Sequence, residues 1–266
     1  MTVITFLTDF GLQDDFVGTC HGVMARIAPE ARVIDVTHGI APQAILQGAI
    51  VLRNTTSYMP VGVHLAVVDP GVGGQRRALA VRTADGRVFV GPDNGLLLLA
   101  ADGLGVETAH ELVDERYRLP EVSRTFHARD VFAPAAAHLA AGVAIDQLGP
   151  AVDPPDLVRI DVPDPAVGKS QISATVVAVD RFGNVATNMR AAHVAGLGLS
   201  RGDRIEVRLT FDRYYAVVAD TFADAPSGEL ILYEDSYGLV TLAISNGNAA
   251  RLTGVGPGDE LRIALA

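Results

Sequence analysis

Two hydrophobic periods alternate through the first half of the chain. Residues 3–10 form a short, mostly apolar run with a carboxylate at position 9, which predicts a strand. Residues 14–28 then place Phe16, Val17, Cys20, Val23, Met24 and Ile27 three and four positions apart, the spacing of one helix face. Asp14 and Asp15 suit the positive end of that helix. Residues 31–39 predict a second strand and 42–58 a second helix, with Pro42 near its first turn. Residues 62–71 predict a third strand. Apolar strands joined by helices imply an α/β domain whose mainly parallel sheet is covered on both faces. Residues 78–92 predict a β-hairpin turning at Ala84, Asp85 and Gly86. A short helix is expected over 95–101 and a longer one over 130–141, with Asp130 as its N-cap and Pro134 in its first turn.

The texture changes near residue 149. The stretch to 168 is rich in proline, as in an extended linker. Beyond it, 171–180, 204–211, 214–220, 228–235, 239–244 and 259–265 read as short strands separated by Gly, Pro and Asp turns, an all-β, barrel-like pattern. The expected organisation is an α/β domain over 1–150, a Pro-rich linker over 151–169 and a β-barrel-like domain over 170–266.

Composition narrows the function classes. With 266 residues, 49% of them hydrophobic, the chain can bury a large core, yet aromatics are only 6% and Trp is absent. Each aromatic side chain is therefore worth locating. A net charge of −10 without a basic cluster argues against nucleic acid or an anionic membrane as partner. The single cysteine, Cys20, permits no internal disulfide, and the N-terminal stretch reads as a strand rather than a signal peptide. No apolar run approaches the roughly 18 residues of a membrane helix. The expected setting is the cytoplasm. The seven histidines lack the close spacing of a metal motif, so no metal or other cofactor is expected.

Ligands of open α/β sheets gather at the carboxyl ends of the strands. Asp9 ends the first strand and Asp69 the third, where it opens DPGVGGQR, residues 69–76. His127 precedes the helix expected at 130. Taken singly, each has an ordinary structural explanation, because Asp residues cap turns and histidines pack in cores. The Gly-rich run does not open a helix in the dinucleotide-binding manner.

Taken together, TDFG at 8–11, VVDPGVGG at 67–74 followed by Arg76, GPDNG at 91–95, TFHARDVFAPAAAHLA at 125–140, VDRFGNVATN at 179–188 and SYGLVTLAISNGNAA at 236–250 closely resemble one family. These are the S-adenosyl-L-methionine hydroxide adenosyltransferases, relatives of the fluorinase and chlorinase that use the same sulfonium compound. The resemblance implies an α/β domain and a barrel-like domain, assembled as a homotrimer with active sites at subunit interfaces. It implies hydrolysis of S-adenosyl-L-methionine, as substrate, to adenosine and methionine by attack of water or hydroxide on ribose C5′. Asp69, Arg76 and His127 match the family's catalytic set. His127 has the reference pKa best suited to accepting a proton, whereas Asp69 is a weak base but a good orienting partner. Arg76 stays protonated and can stabilise hydroxide character.

Asp9 matches the partner of the two ribose hydroxyls, Asp180 that of the substrate ammonium, Asn184 the residue reading adenine and Ser236 a carboxylate contact. Phe182 is expected either against the base or in the barrel core. The halogenases carry tyrosines at positions 69 and 127, Thr at 72 and an arginine where this chain has Tyr237. Asp69, His127, Val72 and Ala128 therefore favour hydrolysis over halide transfer. A halogenase and a non-catalytic sensor of the same ligand are the alternatives.

Overall fold

The structure, a computed structural model, describes residues 3–209 and 211–266, and it divides into two compact units, Met1–Ile160 and Asp161–Ala266. In the first unit, β1 (Val3–Thr8), α1 (Phe16–Ile27), β2 (Arg32–Thr37), α2 (Ile45–Thr56) and β3 (Val63–Val67) follow the alternation in the sequence. The hairpin is β4 (Ala78–Thr83) and β5 (Val88–Pro92), and α3 is Leu98–Ala101. Two strands lie beyond those read from the sequence, β6 (Val106–Glu111) and β7 (Ala151–Val152), separated by α4 (Ala133–Ala140). β6 carries Glu107, Thr108, His110 and Glu111, so no apolar run announces it.

The sheet order is β2-β1-β3-β5-β4-β6-β7. β2, β1, β3 and β5 pair in parallel, while β4 and β7 run against their neighbours. Alternating residues of the same strands feed two cores, as the two-residue period requires. Val63, Leu65 and Val67 face α1 and α4, with Phe6, Cys20, Met24 and Phe132. Ala66, Val68, Leu79 and Phe89 face α2 and α3, with Leu52, Leu96 and Leu97. The chain leaves β1 toward β2 on one side and returns to β3 on the other, so the carboxyl ends of β1 and β3 form a topological switch point. Thr8 is paired with Val67, which sets Asp9 beside the strand end that leads to Asp69.

The proline-rich stretch is divided between the units. Its first part supplies β7 and buries Leu157 in the α2–α3 core. Val158 donates its backbone N–H to Asp93, and Arg77 binds both Asp93 and the carbonyl of Asp156.

The second unit holds β8 (Ala166–Val167), β9 (Gln171–Val179), β10 (Val185–Thr187), α5 (Ala191–Gly196), β11 (Arg204–Arg208), β12 (Arg213–Val218), β13 (Leu230–Glu234), β14 (Val240–Ile244), α6 (Ala249–Thr253) and β15 (Glu260–Leu265). The strand expected over 204–211 includes Thr210, which lies outside the described residues. Pairing runs β10-β14-β13-β12-β11-β15-β9, and β9 also pairs with β10, which closes a seven-stranded barrel. Closure leaves the barrel strands no free edges. Ile172, Val176, Val185, Ile205, Val207, Leu232, Leu242 and Ile263 fill it.

Candidate active site

Asp69, Arg76 and His127 meet in the first unit although 51 residues separate Arg76 from His127. Arg76 Nε donates to both carboxylate oxygens of Asp69, at 3.1 and 3.0 Å, and Nη2 reaches Oδ2 at 2.5 Å. The same Nη2 donates to His127 Nδ1 at 2.8 Å. The guanidinium lies over the Phe132 ring, 5.1 Å from its centre, and only 11% of its side chain is exposed. An arginine has no acceptor, so His127 Nδ1 must present its lone pair, and the proton of the neutral ring sits on Nε2. Burial, then the Arg76 charge, pushes the His127 pKa below its ordinary 6.5.

The local sequence explains this convergence. Asp69 follows β3 directly. Asn94, in the GPDNG turn after β5, donates its side-chain amide to the carbonyl of Val68 at 2.9 Å and so fixes the strand end. Gly73 has φ +73°, and a Cβ there would stand 2.2 Å from the carbonyl oxygen of Arg124. Only glycine lets the loop press against the backbone that leads to His127. Asp130 is fully buried and does not cap a helix as its position suggests. Helical structure starts earlier, in a π turn over Ala128–Phe132, and the Asp130 carboxylate instead accepts from Ser123 N at 2.8 Å and from Arg129. That clamp folds the 123–127 segment back onto the π turn, which His127 directly precedes as its N-cap. Pro42 likewise precedes the helix it was expected to open, since α2 begins at Ile45.

A cavity of about 410 Å³ opens beside these groups, lined by Asp9, Phe10, Phe16, Gln43, Asp69, Val72, Phe126, His127 and Ala128 among others. Asp9 Oδ2 accepts the backbone N–H of Gln43 at 2.8 Å, and Gln43 itself adopts the rare left-handed conformation, φ 67°. One oxygen of Asp9 is thereby committed, and Oδ1 has no hydrogen bond among the described residues. Phe10, Phe16 and Phe126 pack edge to face, with centroids 5.1 to 6.0 Å apart. None of the three was read from the sequence as a site residue, and Phe16 counted there only toward the face of the first helix.

The second unit has its own cavity, about 790 Å³, lined by Asp180, Phe182, Asn184, Phe222, Tyr233, Ser245 and Asn246 among others. Asp180 shapes the β9–β10 turn. Its Oδ1 accepts from the backbone of Phe182 and Asn184, and its Oδ2 from the Asn184 side-chain amide at 2.7 Å. Asn184 Oδ1 accepts no hydrogen bond among the described residues. Gly183, at φ +83°, is obligatory, because a Cβ would fall 2.1 Å from the side chain of Asn248. Phe182 is 75% exposed and is not a core residue. Phe222 and Tyr233, absent from the sequence reading, line the same cavity with their rings tilted at 54° and their centroids 5.0 Å apart. Ser236 is exposed in the turn between β13 and β14 and lines neither cavity. Arg190 reaches that turn, where Nη1 donates to the carbonyls of Tyr237 and Gly238 at 3.1 and 3.0 Å.

Fold and site together define a two-unit protein: an α/β unit with a charged Asp–Arg–His set at its switch point, and a β-barrel with an aromatic and amide-lined cavity. The SAM hydroxide adenosyltransferase N-terminal domain matches residues 4–149 and its C-terminal domain residues 174–262, and the chain belongs to that family. A curated relative, the (R)-S-adenosyl-L-methionine hydrolase of Salinispora tropica, is 49% identical over 98% of this chain and 97% of its own. The protein of the same name from Thermus thermophilus is 39% identical over 99% of this chain and 100% of its own. Among solved structures, an uncharacterized conserved protein from Thermotoga maritima superposes with a TM-score of 0.91 at 35% identity, covering 98% of this chain and 99% of that one.

Proposed function

We propose that the protein hydrolyses S-adenosyl-L-methionine to adenosine and L-methionine. One observation carries the reading: Arg76 binds Asp69 and His127 at once, beside a cavity that also presents Asp9. In the reaction the water oxygen forms a bond to C5′, the C5′–S bond breaks, and its electron pair leaves on sulfur as the neutral thioether of methionine. One proton is released. The sulfonium needs no acid for departure. Charge on sulfur is dispersed in the transition state, which a poorly hydrated cavity tolerates well. The alcohol is born as an oxonium, a strong acid, so a weak base is enough to take its proton. Asp69 accepts an O–H of the water, turns a lone pair toward C5′, and is the first stop for that proton.

Arg76 fixes the carboxylate through Nε and Nη2. Its Nη1 has no hydrogen bond among the described residues and is free to donate to an oxygen nucleophile. His127 offers an Nε2–H donor. That geometry favours a donor role for His127 over the proton-acceptor role read from its reference pKa. The free oxygen of Asp9 suits the ribose diol. Asn184 Oδ1 suits an amino group on the adenine edge, with Phe182 against the ring. Asp180 is already occupied by the turn, so its contact with the substrate ammonium is secondary. Arg190 places a guanidinium near Ser236, where the halogenases have an arginine at the position of Tyr237.

The functional unit we propose is a homotrimer, each site pairing the α/β unit of one subunit with the barrel of another. The separation of the two half-sites into different units supports this. No helix among the described residues is long and apolar enough to cross a membrane. A cytoplasmic setting fits the single buried cysteine. Incubation with S-adenosyl-L-methionine, with and without chloride or bromide, followed by chromatography of the products, tests the reaction. Adenosine in all three conditions is expected. A 5′-halo-adenosine would replace hydrolysis by halide transfer, and unchanged substrate would leave a sensor.

A further inference from the structure

His21, Asp35 and His38 are far from any metal-binding sequence motif, yet folding brings their ligand atoms within 4.8 Å of one another. His21 projects from α1, Asp35 from β2, and His38 follows the end of β2. His21 Nε2 lies 2.8 Å from Asp35 Oδ1, and His38 Nε2 lies 3.2 Å from the same oxygen. The second approach is off the line of a hydrogen bond. His38 Nε2 is therefore a buried polar atom without a hydrogen-bond partner, on a residue only 5% exposed. An orphaned imidazole nitrogen beside a carboxylate and a second imidazole needs a reason.

We propose that His21, Asp35 and His38 bind a divalent late transition metal, with zinc as the best fit. Two imidazole nitrogens and one carboxylate oxygen are the donors zinc prefers when water completes a tetrahedron. At metal–ligand distances near 2.0–2.1 Å, ligand atoms of such a tetrahedron stand about 3.3 Å apart. The observed separations of 2.8 and 3.2 Å need only small side-chain shifts to match. The outer contacts are also those of a metal ligand. His38 Nδ1 is 2.8 Å from Thr8 Oγ1, so Nδ1 can carry the proton and leave the Nε2 lone pair for the metal. Phe6 packs against both imidazoles, with ring centroids 5.9 and 4.9 Å away, and holds their planes. The His21 and Asp35 side chains are 34% and 43% exposed, which gives the ion an entry path and room for its water.

The metal would join α1 to the end of β2 and would act on the substrate side of the sheet only through the backbone. His38 accepts from Gly11 N at 2.7 Å, and Thr8 directly precedes Asp9. Its role is therefore structural: it stiffens the β1–α1 and β2–α2 loops at the switch point and takes no part in the bond changes at C5′.

The test is metal binding, which is independent of hydrolysis. Untagged full-length protein is stripped with a chelator, then titrated with Zn²⁺ by calorimetry and with Co²⁺ by visible absorption. One equivalent of Zn²⁺, a Co²⁺ spectrum of four- or five-coordination, and a rise in Tm on Zn²⁺ addition are expected. His38→Ala removes a buried side chain and can misfold, so the deciding variants are His21→Ala and Asp35→Asn at exposed positions. Each should weaken Zn²⁺ binding roughly 10-fold or more, while His193→Ala leaves it unchanged. Absence of a stoichiometric site, or binding untouched by His21→Ala and Asp35→Asn, would overturn the proposal.

Discussion

Replacing Asp69 by Asn removes one charge and almost no volume. A residue that merely ended a strand would tolerate it, because Asn forms the same turns. Here the carboxylate receives three donor contacts from Arg76, and an amide oxygen can replace only part of that fork. We expect a folded protein with near-normal affinity for S-adenosyl-L-methionine and turnover reduced roughly 100-fold or more. Wild-type turnover in Asp69→Asn would sink the assigned role. His127 sets the acid limb. The Arg76 bond requires its neutral form, and burial and Arg76 lower its pKa. Activity should thus persist below pH 6.5 and fall as pH drops through the lowered value. A pH–rate profile with its acid inflection at or above 6.5 would contradict that geometry. Asn184→Ala should act on KM instead, because adenine contacts are nearly equal in ground and transition states. Loss of about 1–3 kcal/mol is expected, and an unchanged KM with a collapsed kcat would rule the role out. Asp69, Arg76 and His127 were legible as residues because six ordered motifs carried them. Their mutual geometry was not. That His127 Nδ1 is consumed by Arg76, and Asp180 by its own turn, depends on side-chain directions that spacing does not encode.

At the scale of elements, β1, α1, β2, α2, β3 and the hairpin were readable because their residues obey one period at a time. β6 was missed because Glu107, Thr108, His110 and Glu111 break any apolar period, and only Ala109 and His110 of the strand are buried. α5 and α6 span only 6 and 5 residues, too short for a helical period to rise above the surrounding strands. β3 and β1 also bear a polar pair that apolar averages hide: His64 is 1% exposed and its Nδ1 lies 2.8 Å from Thr5 Oγ1. Burial, followed by the Arg87 charge, lowers the His64 pKa to about 4. The folded sheet therefore holds it neutral, while the unfolded chain takes up a proton below about 6.5. Its linkage leaves stability untouched above that value and removes up to about 3 kcal/mol as pH falls toward 4. Urea unfolding at pH 7 and pH 5 should differ by about 2 kcal/mol from this group alone. His64→Gln, which can still hydrogen-bond Thr5, should lose that part of the pH dependence. If wild type and variant share the same pH slope, His64 is not a source of it.

On the proposed reading the molecule divides its chemistry: the groups assigned to the nucleophile and ribose belong to Met1–Ile160, and those assigned to adenine belong to Asp161–Ala266. A chain that splits a site this way can complete it within itself or by exchange with neighbours in a ring. The two arrangements respond differently to mixing of variants impaired in kcat/KM. Arg76→Ala damages only the first half-site. Asn184→Ala, combined with Phe182→Ala, damages only the second and leaves Asp180 to hold its turn. If each site joined halves of one chain, mixed assemblies would contain no intact site and would stay as impaired as their parents. In a head-to-tail trimer that holds both variants, one of the three sites draws an intact α/β unit and an intact barrel from different subunits. Co-produced variants carrying different tags, purified through both, should therefore recover about a third of wild-type kcat/KM, assayed at substrate below the wild-type KM, where the second variant alone stays impaired. Their mass by light scattering should be that of three chains. Full activity in a monomer, or no recovery in a verified mixed trimer, would exclude the shared site.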